Sequence, residues 1–140
     1  MIVVVCSALI TKEKSVLLVH EKKMDKYGLP GGKLEEGETL RDCVMRECQE
    51  ELGAVIEIDN LIMVTEKPKT RESNTVVRFI YRAHIVSYLD KAELDYKYLK
   101  KPEITKLINN KLVRGEDVAK LLGDYYQGVI GTIPDPIVFT

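Results

Sequence analysis

The stretch LPGGKLEEGETLRDCVMRECQEELGA, Leu29 to Ala54, constrains this chain more than any other. Its second half reads as a helix with both ends marked. Thr39 stands at the N-cap, and Asp42 three residues on completes a capping-box pair. Leu40, Val44, Cys48 and Leu52 recur every fourth residue, with Cys43 alongside, which gives an apolar stripe. Gly53 sits where a glycine in the left-handed conformation ends a helix. Such a helix must pack against something apolar. Yet at about 100° per residue Glu47, Glu50 and Glu51 fall within an arc of roughly 100°, with Glu47 in the middle. That arc borders the stripe, and Glu51 lies angularly close to Leu40 and Val44.

Like charges four residues apart repel, so Glu47 and Glu51 weaken the helix. Carboxylates gathered beside a core call for a compensating cation. Two readings stand on helix geometry alone. One is a solvated acidic face ion-paired to Arg41 and Arg46. The other is a hard divalent cation, since Mg²⁺ takes oxygen ligands and often uses a few carboxylates together with substrate phosphates.

The rest of the chain narrows the field. It has 140 residues, which fits one domain over 1–140 with a sizeable core. With 45% hydrophobic and 31% charged residues it is globular in composition rather than disordered. Its 21 basic and 22 acidic residues balance to a net charge of -1, which argues against general nucleic-acid binding. Lys97, Lys100, Lys101 and Lys106 cluster locally and read as a solvated face. Cys6, Cys43 and Cys48 are odd in number and contain no CxxC, so a disulfide framework is not expected. That points to a reducing, cytoplasmic setting, with Cys43 and Cys48 as small core residues. The opening MIVVVCSALI is too short to span a bilayer and lacks the basic leader of a signal peptide; it reads as a buried strand.

Ile2 to Ile10 and SVLLVH are expected to pair as a hairpin across a charged turn. EKKMDKYGLPGG, punctuated by Gly28, Pro30, Gly31 and Gly32, reads as a loop. AVIEIDNLIMVTE reads as a strand, or two with a turn at Asp59-Asn60. TVVRFIYRAHIVSY alternates, with Val76, Arg78, Ile80 and Arg82 on one face and Val77, Phe79, Tyr81 and Ala83 on the other. GEDVAKLLGDYY is predicted to be a second helix, and the tail GTIPDPIVFT to be extended or irregular. Strands around a helix, too closely spaced for a regular βαβ chain, predict a mixed sheet flanked by helices. His20 and His84 fall in strand-like runs without metal-ligand spacing and read as structural.

The spacing around the helix settles more than the helix does. Gly32 is followed after five residues by Glu38, and seven residues later by Arg46-Glu47-Cys48-Gln49-Glu50-Glu51-Leu52-Gly53-Ala54. This closely resembles the Nudix hydrolase signature, G-x5-E-x7-R-E-U-x-E-E-x-G-U, where U is a bulky aliphatic. Gly32, Glu38, Arg46, Glu47, Glu50, Glu51 and Gly53 fill the fixed positions, while Cys48 and Ala54 are small for U. The Leu29-Pro30-Gly31-Gly32 entry is also similar to that family's, with Tyr27 near where a tryptophan is common.

The resemblance implies an α+β fold, a three-layer α/β/α sandwich with a mixed β-sheet. It implies hydrolysis of a diphosphate linkage in a nucleoside diphosphate joined to another moiety, with Mg²⁺ or Mn²⁺. Glu50 and Glu51 would hold metal, Glu47 would be ligand or general base, and Gly31 would offer its carbonyl oxygen. Arg46 would hold the glutamates through bidentate contacts. Glu38 would orient or act as an outer ligand. A further acid from a later loop is expected, with Glu93 favoured over Glu103, Asp90 and Asp95. Many members are homodimers, which is the expectation carried over here.

Substrate choice lies outside the motif. Pro68, 14 residues past Ala54, lies close to where a proline accompanies ADP-ribose hydrolysis in some members. It has an equally simple reading as a turn residue. Arg71, Arg78 and Arg82 are candidates for phosphate or ribose, or decorate a strand face. No tyrosine lies between Glu66 and Thr75, which disfavours dinucleoside polyphosphates. ADP-ribose-like compounds are therefore expected first and (oxidised) nucleoside triphosphates second. A non-catalytic nucleotide-binding module is disfavoured because Glu38, Glu47, Glu50 and Glu51 are all present. A decapping activity on RNA ends is disfavoured by the balanced charge.

Overall fold

The computed structural model describes residues 1–89 and 91–139. Strands β1 (Ile2–Lys12) and β2 (Ser15–Glu21) form the expected hairpin, pairing Thr11 with Val16 and Lys12 with Ser15. The two turn residues, Glu13 and Lys14, both take positive φ, 50° and 64°. That matches the twist of a two-residue hairpin without using glycine.

Beyond the hairpin β1 and β2 part, and two short strands line the gap. β3 (Lys26–Gly28) pairs with β2, and β4 (Gly31–Lys33) pairs with β1. The segment expected to be a loop thus contributes two strands of three residues each. Leu29 and Pro30 bridge them, and the Pro30 carbonyl accepts from the Ala8 N–H at 2.9 Å.

β5 (Ala54–Lys67) is one continuous strand, with no chain reversal at Asp59-Asn60. Register shifts at Val55/Ile56, Ile58/Asn60 and Leu61/Met63 absorb the irregular sequence as bulges against β6 (Thr75–Tyr88). β6 runs parallel to β1, from Ile2 opposite Thr75 to Ile10 opposite Ala83. β7 (Asp95–Leu99) adds to the other edge of β2. The sheet is therefore mixed, ordered β3-β2-β1-β6-β5 with β4 and β7 attached.

Strand alternation separates two cores. Cys6, Ala8 and Ile10 of β1, with Tyr81 and Ala83 of β6, face helix α1 (Leu40–Leu52), which buries Cys43, Val44, Cys48 and Leu52 against them. Leu9 and Ile80 face the opposite way, onto α2 (Lys101–Asn109) and α3 (Glu116–Gln127) through Ile104, Val118, Leu121 and Leu122. Helix, sheet and helix pair make the α/β/α sandwich.

The ends of α1 are as its sequence predicts. The Thr39 hydroxyl accepts from the Asp42 N–H at 3.1 Å, and the Asp42 carboxylate accepts from the Thr39 N–H at 3.1 Å. Gly53 ends the helix in the left-handed conformation, φ 62°. The tail returns along β5, where the Ile133 N–H donates to the Leu61 carbonyl at 2.8 Å and Asp135 meets Arg41 at 2.7 Å. Among the described residues no helix is long and apolar enough to cross a membrane.

Candidate active site

The carboxylates of α1 are organised by two groups, a guanidinium and a strand. Arg46 is the first. Its Nε donates to Glu38 Oε2 at 2.6 Å and its Nη2 to Glu38 Oε1 at 3.1 Å, a bidentate pair. Nη1 donates to Glu47 at 2.8 Å and reaches Glu50 at 3.3 Å, while Nη2 also meets the Lys33 carbonyl at 3.1 Å. With Glu35 at 3.5 Å, one side chain thus spans four carboxylates and the end of β4. The hydrogen bond from Arg46, helped by the Glu35 N–H, holds the Glu38 carboxyl below the usual range. These contacts in turn raise the Arg46 guanidinium above its ordinary value.

The second group is β4. The Gly31 N–H donates to Glu51 Oε1 at 2.7 Å. A Cβ at Gly31 would run into the Cys6 carbonyl and Ser7 Cα, so only glycine lets this strand lie on β1. A Cβ at Gly32 would sit 2.5 Å from the Glu47 carboxyl carbon. The Gly31-Gly32 backbone is therefore cradled by Glu47 and Glu51, one turn apart on the helix.

Glu51 is half-buried, and burial pushes its carboxyl up to about 7. The Gly31 N–H and the charge of Arg114 pull it down, while Glu47 and Glu93 push it up. Glu93 is thereby placed within electrostatic range of Glu51. The Leu94 N–H, donating to the Glu51 carbonyl at 3.1 Å, ties that segment to the helix. Glu50 is half-exposed and opens onto a cleft of about 490 Å³ with Arg46, Gln49, Leu89 and Lys91. Beneath the cluster the three thiols are buried and reduced, and burial pushes Cys48 up to about 12. Cys43 and Cys48 are core residues as the sequence suggested, and Cys6 joins them.

The other acidic candidates lie elsewhere. Glu103 accepts the Lys100 N–H at 3.2 Å and caps α2 on the far side of the sheet. Asp95 pairs with Lys22 at 3.2 Å on the β7 edge. Asp90 lies outside the described residues. Pro68 and Arg71 are exposed on the β5–β6 loop, which is closed by Thr70 bonding Ser73 at 2.8 Å. That loop meets β1 at Ile2, four residues and roughly 13 Å along the strand from Cys6 beside Gly32. The structure does not bring Pro68 or Arg71 to the glutamates.

Arg41 turns away from the acidic arc to Asp135 and stacks over Tyr81, so Arg46 alone serves the cluster among the two arginines of the helix. Arg78 bonds Asp117 at 3.0 Å and the buried Ser7 at 3.1 Å on the α3 face, and Arg82 lies over Tyr125. His20 bonds Asp25 at 2.8 Å and stacks on Tyr27, and His84 bonds Asp59 at 3.2 Å. Arg114 is the residue near Glu51 that the sequence did not disclose. It comes from a short connection between helices with no motif around it.

The site is a sheet-mounted helix in an α/β/α sandwich that presents three glutamates, Glu47 and Glu50 held by Arg46 and Glu51 seated on the Gly31 N–H of a diglycine strand. Comparison with known proteins agrees. The NUDIX domain family model matches residues 1–121. An ADP-ribose pyrophosphatase of Methanocaldococcus jannaschii is 30% identical over 125 residues, 87% of this chain and 72% of its own length. An 8-oxo-dGDP phosphatase of Homo sapiens is 34% identical over 57% of this chain, which spans only 24% of that protein. A NUDIX hydrolase structure from Nitrosomonas europaea shares the fold with a TM-score of 0.80 at 23% identity, over 95% of this chain and 94% of that one. The chain belongs to the Nudix family, and it is a hydrolase.

Proposed function

We propose that this Nudix hydrolase cleaves the diphosphate linkage of nucleoside diphosphate derivatives, with ADP-ribose-like compounds as the first substrates. The observation that carries the reading is Glu51, a carboxylate that burial would keep protonated up to about pH 7 unless a cation meets it. The donor set suits a hard divalent ion, Mg²⁺ or Mn²⁺, because it is all oxygen: Glu47, Glu50, Glu51 and the Gly31 carbonyl. Among the described residues no three acidic, histidine or cysteine side chains converge on one point, since Glu47 is turned onto Arg46 and Glu51 onto the Gly31 N–H. When bound, the ion would screen the diphosphate and acidify a water.

The protein residues then divide the work. Arg46 and Glu38 hold Glu47 and Glu50 in place. Glu93, or Glu47, takes the proton of the attacking water. Water adds to one phosphorus, the bridging P–O bond breaks, and the bridging oxygen leaves on the second phosphate. ADP-ribose would give AMP and ribose 5-phosphate. Support for this substrate is the relative in Methanocaldococcus jannaschii, which carries the ADP-ribose pyrophosphatase name over most of this chain. A second reading, action on (oxidised) nucleoside di- or triphosphates, is favoured by the human 8-oxo-dGDP phosphatase over a shorter span.

The deciding experiment is product analysis with Mg²⁺ and equal ADP-ribose, a dinucleoside polyphosphate, and normal and oxidised dGTP. AMP with ribose 5-phosphate supports the first reading. A nucleoside monophosphate with pyrophosphate, from triphosphates only, replaces it with the second. Binding without turnover of any would overturn both substrate readings and point to a substrate outside this panel.

The seat of Glu47 gives a sharper test. Gly32→Ala places a methyl against the Glu47 carboxyl, which must shift from its seat beside Arg46. A displacement of about 1 Å in such a site costs up to ~100-fold, and a loss of that order in kcat is expected while circular dichroism stays unchanged. An unchanged kcat would remove Glu47 from the chemistry.

A further inference from the structure

The connection between α2 and α3 runs beside β3. The Tyr27 N–H donates to the Leu112 carbonyl at 2.8 Å, the Arg114 N–H donates to the Tyr27 carbonyl at 2.7 Å, and Val113 bridges Tyr27 in parallel. Successive residues of an extended segment point to opposite faces. Val113 packs into the core under α2 and α3. Arg114 is therefore directed to the other face, the one that carries α1 and Glu51.

Its path is open because β3 has no side chain there. A Cβ at Gly28 would lie 3.7 Å from Arg114 Cβ and 3.8 Å from its Nε, so the side chain lies across the strand at that glycine. The guanidinium ends on Glu21, Nη1 to Oε2 at 2.7 Å. Gly28 is three residues before Gly31, whose N–H holds Glu51. The charge of Arg114 also acts on the Glu51 carboxyl.

The fold does not depend on this guanidinium. Backbone hydrogen bonds fix the connection, and the pair with Glu21 has both side chains substantially exposed, 48% and 37%. Such pairs contribute little stability. Arg46 and Arg78 are differently placed: Arg46 is spread over Glu35, Glu38, Glu47 and Glu50, and Arg78 is fixed between Asp117 and Ser7. Arg114 is a fork-shaped cation, suited to phosphate, held by an exposed partner on the face that carries Glu51.

We propose that Arg114 is a substrate-binding residue, which leaves Glu21 to take phosphate oxygens of the diphosphate group as that group settles beside Glu51. Glu21 is then a competing anion that keeps the guanidinium extended across Gly28 until substrate arrives. This rests on the hydrolase reading above and names the protein cation that meets its substrate.

The test is steady-state kinetics on ADP-ribose, together with calorimetric titration of ADP in Mg²⁺, for Arg114→Ala, Arg114→Lys and Glu21→Gln. Loss of a bidentate charged contact should raise KM and the Kd for ADP by about 10- to 100-fold with kcat within about threefold, and Arg114→Lys should recover part of it. Glu21→Gln should tighten ADP by roughly two- to fivefold. An unchanged KM and ADP affinity in Arg114→Ala overturns the proposal. So does Glu21→Gln weakening ADP as much as Arg114→Ala, because the pair would then be structural. Should Arg114→Ala melt early, the lysine variant and Glu21→Gln decide, with lysine at wild-type affinity counting against. The ADP titration needs no turnover. Wild-type protein that binds ADP through Arg114 but leaves ADP-ribose intact overturns the substrate reading alone; wild-type protein that binds no ADP overturns both.

Discussion

Glu51→Gln is expected to lower turnover by ~10²–10³-fold and, in the metal-free protein at pH 8, to raise stability rather than lower it. The two effects have one origin. Burial lifts the folded carboxyl from its ordinary value to about 7. A raised folded value means that the group's contribution to stability is fully present below its unfolded value, near 4.5, and is lost as pH rises through about 7. Linkage puts the loss at ~3 kcal/mol as an order of magnitude. Glutamine never ionises, and its amide oxygen can still accept from the Gly31 N–H. Urea unfolding at pH 5 and pH 8 reads this directly: the wild-type protein should lose stability relative to the variant across that window, and Mg²⁺ should restore it to the wild type only. Glu50→Gln, half-exposed on the cleft, should lose turnover without the stability gain. A fully active Glu51→Gln, or one less stable at pH 8, would remove Glu51 from any metal-holding role.

Arg46→Ala is expected to abolish measurable turnover and to lower the Tm by roughly 8–15 °C, since it leaves partly buried carboxylates without their cation. Glu38 and Glu47 are each only 15% exposed, and both depend on this guanidinium. Arg46→Lys should fall between, because a point charge cannot reproduce the fork that spans Glu38 while also meeting Glu47. The acid limb should change as well. Glu38 is held below its ordinary value by Arg46, so its contribution is present above about pH 4.5 and is lost as pH falls through its lowered value. Without Arg46 that limb should flatten. Thermal melts from pH 3 to 8, with and without Mg²⁺, check both points. A Tm within about 2 °C of wild type would show that the carboxylates around Arg46 are solvated independently.

What could be read from the chain follows the range of the forces involved. α1 was legible because its caps are local: Thr39, Asp42 and Gly53 act within one turn of the helix ends. β6 was legible because alternation along one strand sorts Ile80 and Tyr81 to opposite cores. β3 and β4 were not. Gly28, Gly31 and Gly32 have the local preferences of a loop, and only pairing with β2 and β1 makes them strands. AVIEIDNLIMVTE reads as a strand, and the turn kept as an alternative at Asp59-Asn60 falls away only once bulges against β6 carry the strand through. β7 and α2 were blurred by the lysine-rich run around Lys97, Lys100 and Lys101, whose apolar partners Leu99 and Ile104 are few.

The candidate site divides in the same way. Arg46, Glu47, Glu50 and Glu51 share one helix, so spacing alone collected them. Arg114 reaches the same neighbourhood through a bridge to Tyr27 that links residues far apart in sequence. Arg41 was offered as a partner for the acids, and its actual partner, Asp135, lies 94 residues away.

The returning tail has a consequence for how this chain meets others like it. β5 is the last strand of its sheet, and an open strand edge is a template on which a neighbouring chain can add and begin to aggregate. Ile133 occupies the hydrogen-bonding position at Leu61, and Pro134 and Pro136 just beyond it have no N–H to offer a further strand. The three register shifts of β5 twist the rest of that border out of line. The Arg41–Asp135 anchor thus serves colloidal safety: it keeps in place the segment that denies a foreign strand its landing site.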